Sequence, residues 1–139
     1  MSQQEQGKNF SLCYGCGPEN PIGFKLQVHG DGERTWAEFT PGQYHAGWPD
    51  IVHGGVLCVL LDEVVSYLPY FRFPGRRTVT GRMNTRFRRP AYAGQCLLIS
   101  AHIARERSKV VEVRASITAP DGGTVAESDC LIFLQGKEA

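Results

Sequence analysis

Residues 51–66 constrain this chain more than any other stretch. A His53-Gly54-Gly55 turn runs straight into Val56-Leu57-Cys58-Val59-Leu60-Leu61, then an acid pair, Asp62-Glu63, then Val64-Val65. Apolar residues cover almost every side of the helix these residues would make, so it belongs in an interior rather than on a surface. A carboxylate in the middle of such a helix is costly to bury, and carboxyls in apolar surroundings have perturbed acidities. Gly54 and Gly55 leave the first amides of the helix free of side-chain cover, where the dipole favours negative charge. One helix thus carries both a place for an anion or developing oxyanion and an acid/base group.

A length of 139 residues suits a single domain with a real core, read here as a polar tail over 1–12 and one domain over 13–139. The net charge of +1 offers no global field for nucleic acid or a membrane surface. No apolar run is expected to span a bilayer, and the Gln-rich start has neither the charged end nor the apolar stretch of a signal peptide. Five cysteines, an odd number, suit a reducing compartment better than a disulfide scaffold, so a cytoplasmic location is expected.

Local charge is less even. No carboxylate stands between Glu63 and Glu106, whereas Arg72, Arg76, Arg77, Arg82, Arg86, Arg88, Arg89 and Arg105 do. Arginine forks match phosphate geometry, so this segment suits a phosphorylated small ligand; the alternative is a plain solvated face.

Turn residues and alternation outline the rest. Residues 12–22 form a turn-rich opening, 24–28 a short strand, 29–32 a hairpin turn and 34–39 its return strand. The helix covers about 54–68, stopped by Pro69. Strands follow at 78–88, 95–105, 110–119 and 124–134, with turns at 90–94, 106–109 and 120–123, and the last three should form an antiparallel meander. A buried helix needs cover on every side, which one wrapped sheet and a partner molecule would supply.

Taken together, His53-Gly54-Gly55, the acid nine residues after that histidine, and Arg88-Arg89-Pro90 with Gly94 resemble the hotdog-fold acyl-CoA thioesterases of the phenylacetate-pathway and 4-hydroxybenzoyl-CoA type. The resemblance implies an α+β fold, an antiparallel sheet wrapped around one long central helix. It also implies a homodimer, or a dimer of dimers, with acyl-CoA sites at the subunit interface and no cofactor beyond the coenzyme A of the substrate. In such enzymes the amide at the position of Gly54 polarises the thioester carbonyl, and the acid matching Asp62 attacks it or activates water. Ser66 would help hold that water, and Thr80 stands where some members use a strand hydroxyl. Gly47 departs from the family, which often has a water-orienting Asn or Gln there; Gln43, Tyr44 or His45 could substitute.

Gly54 and Asp62 are eight residues apart, roughly 12 Å of helical rise, so both can act on one carbonyl only if they come from different chains. Asp62 is the first candidate for nucleophile or general base; the bland alternative is a buried acid paired with an arginine. Ser66 shares its face. Glu63, about 100° round the helix, should face a partner chain or an arginine. His53 would orient the loop or act on the thioester, and Gly55 would add a second amide.

On the strand at 78–88, Val79, Gly81, Met83, Thr85 and Phe87 read as the core face, and Thr80, Arg82, Asn84, Arg86 and Arg88 as the polar one. A catalytic Thr80 would therefore need a bulge. Arg86, Arg88 and Arg89 are the candidates for coenzyme A phosphates. Cys13 and Cys16 have the spacing of half a zinc site, completed only if His29 or His45 came near, so no metal is expected; Cys58, Cys96 and Cys130 read as core. A hotdog hydratase or dehydratase and a non-catalytic acyl-CoA binding module are the competing functions.

Overall fold

The computed structural model describes residues 11–137, so the expected polar tail falls outside it except for its last two residues. These residues form the α+β hotdog arrangement, a six-stranded antiparallel sheet curled around a single long helix. In chain order come β1 (His29–Gly30), β2 (Arg34–Phe39), a 3-10 turn (Gln43–His45), α1 (Gly54–Arg72), β3 (Arg76–Phe87), β4 (Leu97–Glu106), β5 (Val110–Thr118) and β6 (Thr124–Lys137). The order across the sheet is β1-β2-β4-β5-β6-β3, so the meander of the last three strands is present and β3, first after the helix, closes the far edge.

The expected strand at 24–28 is absent, although Phe24, Leu26 and Val28 are buried. Lys25 adopts a left-handed backbone (φ 53°), which breaks a regular ladder. Phe24 and Leu26 instead donate their N–H groups to the carbonyls of Tyr14 and Gly15, at 3.0 and 2.9 Å, stitching this segment to the opening turn.

Pro69 does not end α1, which continues to Arg72. Proline removes one helical hydrogen bond, but Pro69 and its neighbours Tyr67 and Leu68 are buried, and that packing outweighs the loss. Arg72, in the last turn, reaches the Gly32 carbonyl (3.2 Å), Glu33 (2.9 Å) and Glu106, tying the helix end to β4 and the β1–β2 hairpin.

α1 lies against every strand, with Leu57, Leu60, Leu61, Val64, Val65 and Leu68 facing Ile99, Val111, Val113, Ile117 and Ile132 in one core. Inside it, the buried Thr35 hydroxyl donates to the Val64 carbonyl at 2.6 Å, fixing the helix against β2. The helix is not buried all round: Cys58, Val59, Asp62, Glu63, Ser66 and Tyr70 form a half-buried stripe. Contrary to expectation, α1 is long and apolar enough to cross a membrane by length and composition; its burial in the sheet makes it the core helix.

Candidate active site

The bulge that Thr80 needed exists. β3 pairs with β6 in register from Thr78↔Leu134 to Thr80↔Ile132, then shifts so that Arg82 faces Leu131, leaving Gly81 as the extra residue. The bulge reverses the parity of the strand. Beyond it Met83 and Thr85 face the core, as the alternation implies, but before it Thr78 and Thr80 face inward and Val79 is 49% exposed. No single alternation therefore holds along this strand. Gly81 is small because a Cβ there would stand 1.9 Å from the Phe133 ring.

Turned inward, Thr80 donates its hydroxyl to Asp62 Oδ1 at 2.9 Å. The contact joins the middle of α1 to the sheet edge. It orients the carboxylate and leaves Oδ2 on the half-buried stripe, so Asp62 is held by a hydroxyl rather than by an arginine.

At the start of α1, His53 is the N-cap, its backbone extended (φ −61°, ψ 136°), and its Nδ1 accepts the Gly55 N–H at 2.8 Å. The expected pair of free amides is thus reduced to one. Val56 and Leu57 donate to the His53 carbonyl, whereas the Gly54 N–H has no acceptor among the described residues. Loop geometry fixes this corner: His53 N–H donates to the His45 carbonyl, Val52 N–H to the Ala91 carbonyl, and Gly94 N–H to the Pro41 carbonyl. Gly94 adopts φ +92°, a conformation that favours glycine, which accounts for its place in the motif.

Among the described residues, neither His45 nor Tyr44, two of the substitutes for a water-orienting residue at Gly47, is hydrogen-bonded to Asp62. His45 packs on the rings of Phe24 and Phe39 and its Nδ1 accepts the Gly42 N–H, while Tyr44 is 92% exposed.

The arginines are not without neutralising acids. β6 and the turn before it supply them: Arg88 pairs with Glu127, Arg89 with Asp121, and Arg86 with Asp129 at 3.6 Å. Sequence distance hid these acids, which reach the arginines across the sheet. The pairs are solvent-exposed and therefore weak.

Glu63 faces neither an arginine of the cluster nor open surface; it points into the opening turn. The Cys13 thiol lies 3.7 Å from its Oε1, and the Tyr67 hydroxyl donates to Cys16 Sγ at 3.1 Å. Burial, then the neighbouring Asp62 charge, push the Glu63 carboxyl up to about 7, and burial raises the Cys16 thiol further above the usual range. A cavity of about 440 Å³ opens here, lined in part by Glu63, Ser66, Tyr67 and Tyr70 of α1 and by Arg76–Val79 of β3. Ser66 thus borders the cavity one turn from Asp62. Of the other cysteines, Cys130 is buried and Cys58 half-buried, but Cys96 is exposed just before β4 rather than in the core.

Residues 50–126 match the family described as the thioesterase superfamily. Mouse acyl-coenzyme A thioesterase THEM5 is 25% identical over 112 residues, 81% of this chain and 44% of that protein. The chain spans about half the length of the curated relatives it matches. Among solved structures, the E. coli PaaI protein from the phenylacetic acid degradation operon superposes with a TM-score of 0.75 at 20% identity, covering 82% of each chain. The smu.793 protein of Streptococcus mutans, solved bound to acetyl CoA, gives 0.75 at 16% identity, covering 82% of this chain and 91% of that one. At these identities the structural likenesses show the fold.

Proposed function

Because the chain belongs to the thioesterase superfamily, we propose that it hydrolyses the thioester of an acyl- or aryl-CoA at a site shared by two copies of itself. One observation carries this reading: a helix-start amide without an acceptor among the described residues and, eight residues on, a carboxylate oriented by Thr80 on the half-buried stripe of the same helix. With two helices antiparallel, the Gly54 N–H of one chain meets the thioester oxygen and Asp62 of the other meets the carbonyl carbon. The amide stabilises the oxyanion. Asp62, as nucleophile or through an activated water, forms the tetrahedral intermediate, whose collapse expels the coenzyme A thiolate. If Asp62 attacks directly, water then hydrolyses the acyl-aspartyl anhydride. Arg86, Arg88 and Arg89 exchange their surface acids for the phosphates, and Ser66 steadies the water.

The family, the relative named as an acyl-coenzyme A thioesterase and the neighbour solved with acetyl CoA all support an acyl-CoA substrate. A homodimer, alone or as a dimer of dimers, in the cytoplasm completes the proposal. His53 and His45 each accept a backbone N–H through Nδ1, His53 from Gly55 and His45 from Gly42, an arrangement that supports a role in fixing the loop.

The test is thiol release from short, medium, long and aryl acyl-CoAs. Asp62→Asn should lower it by roughly 100-fold or more. Undiminished release in that variant, or hydration of an enoyl-CoA without thiol release, overturns the assignment.

A further inference from the structure

The opening turn and the middle of α1 are built around one another at a point the thioester chemistry does not use. Cys13 and Cys16 flank a tight turn closed by the Gly17 N–H, which donates to the Cys13 carbonyl at 2.8 Å. A Cβ on Gly17 would sit 2.5 Å from the Cys13 nitrogen, so the turn admits no side chain there. Gly15, between the two cysteines, leaves room for Glu63: a Cβ there would stand 2.1 Å from Glu63 Oε1. The effect is to bring two sulfurs and a carboxylate oxygen together from opposite ends of a 50-residue separation.

These three atoms lie within 4.8 Å of one another. Around a tetrahedral zinc ion, with sulfur at about 2.3 Å and oxygen at about 2.1 Å, the same atoms would stand about 3.6–3.8 Å apart. Closing the cluster on an ion therefore takes shifts of about 1 Å or less. Two thiolates and one carboxylate suit a borderline cation such as zinc and not magnesium or calcium, which take oxygen ligands. Cys16 also has a hydrogen-bonded supporting group, the Tyr67 hydroxyl, of the kind that orients a metal ligand. His29 and His45, the other candidate ligands, are elsewhere: His29 stacks on Trp36, and His45 packs on Phe24 and Phe39.

We propose that Cys13, Cys16 and Glu63 form a site for a zinc-class divalent cation, with the fourth coordination position open to the cavity that all three residues line. Water or a small donor entering the cavity takes that position. The ion clamps the opening turn to α1 one residue after Asp62, so it fixes the rotation of the helix that presents the candidate carboxylate. The site stands whether or not the chain hydrolyses thioesters, because its evidence is separate from Gly54, Asp62 and Thr80.

The experiment uses the full chain, purified reduced and without chelator, then stripped and titrated with cobalt(II). Zinc should be found at one equivalent per chain. Cobalt should give thiolate charge-transfer absorption and the intense visible bands of a four-coordinate ion, saturating at one equivalent. Cys13→Ser should abolish the charge-transfer signal or cut it by half, and Glu63→Gln or Gly15→Ala should weaken binding at least tenfold. Should those variants fail to fold, alkylation mapped on the unaltered chain decides: zinc should slow modification of Cys13 and Cys16 and leave exposed Cys96 unaffected. A folded, reduced chain with no cobalt signal, equal alkylation rates with and without zinc, or a Cys13–Cys16 disulfide that persists under reductant overturns the site.

Discussion

Asp62 and Glu63 are neighbours in sequence with different surroundings, and the difference is steric. Asp62 points to β3 and accepts one hydroxyl hydrogen bond; Glu63, about 100° round the helix, points to the cysteine turn. A hydrogen bond to a charged group is worth about 1.5–3 kcal/mol, and Thr80 applies it to the oxygen opposite the reacting one. Thr80→Val should therefore lower kcat about 10- to 100-fold with KM little changed, and Thr80→Ser should restore most of it. Steady-state kinetics on the best acyl-CoA checks this; an unchanged kcat in the valine variant would remove Thr80 from the mechanism. The candidacy of Asp62 was legible from its apolar neighbours. That Glu63 meets Cys13 was not, because the contact spans 50 residues and depends on how the opening turn folds back.

At the scale of elements, β3 carries the lesson. A strand read by alternation alone assigns Val79 and Gly81 to the core and Thr80 to the outside. One bulge at Gly81 reverses the first half of the strand and delivers Thr80 to Asp62. Gly81→Ala drives a methyl into the Phe133 ring, at a cost of about 1–3 kcal/mol. Phe133 is itself 42% exposed, so Phe133→Ala should remove most of that cost. In a double-mutant cycle followed by denaturant midpoint, the pair should then be less destabilised than the sum of the singles. Additive effects would mean that the cost of a side chain at position 81 does not come from the Phe133 ring. The helix shows the same limit from the other side: its start at Gly54 was readable from the His-Gly-Gly turn, but its extension through Pro69 was not, since burial overrides a local breaker.

For the whole molecule, the proposed site needs two chains, and a second copy would have surface to cover. Among the described residues β3 is an edge strand, Phe87 at its end is 54% exposed, and the stripe around Asp62 is only half covered. Gly54 is the first residue of α1 and His53 before it is extended, a geometry that accepts proline at position 54. Gly54→Pro therefore deletes the candidate amide donor and keeps the helix, and alone it should reduce turnover roughly 100-fold. Mixing Gly54→Pro with Asp62→Asn chains after dissociation pairs an intact amide with an intact carboxylate. Activity should return to roughly a quarter of the unaltered level, because half the reassociated dimers are mixed and one of their two sites is whole. No recovery on mixing, or a chain that sediments as a monomer while active, contradicts the shared site.

What the sequence determined alone is what short range decides: a central apolar helix with its acid, the turn before it, the positions of β2 and the meander, and a resemblance resting on close spacings. Those features depend on periodicity and turn chemistry over a few residues. Only the tertiary structure decided which oxygen Thr80 meets, which acids neutralise Arg86, Arg88 and Arg89, which amide at the helix start finds an acceptor in His53, and that Glu63 closes on two cysteines. Each of these depends on sheet register, on one extra residue in a strand, or on a loop folding back over the helix. A shift of a single residue sends every side chain beyond it to the opposite face.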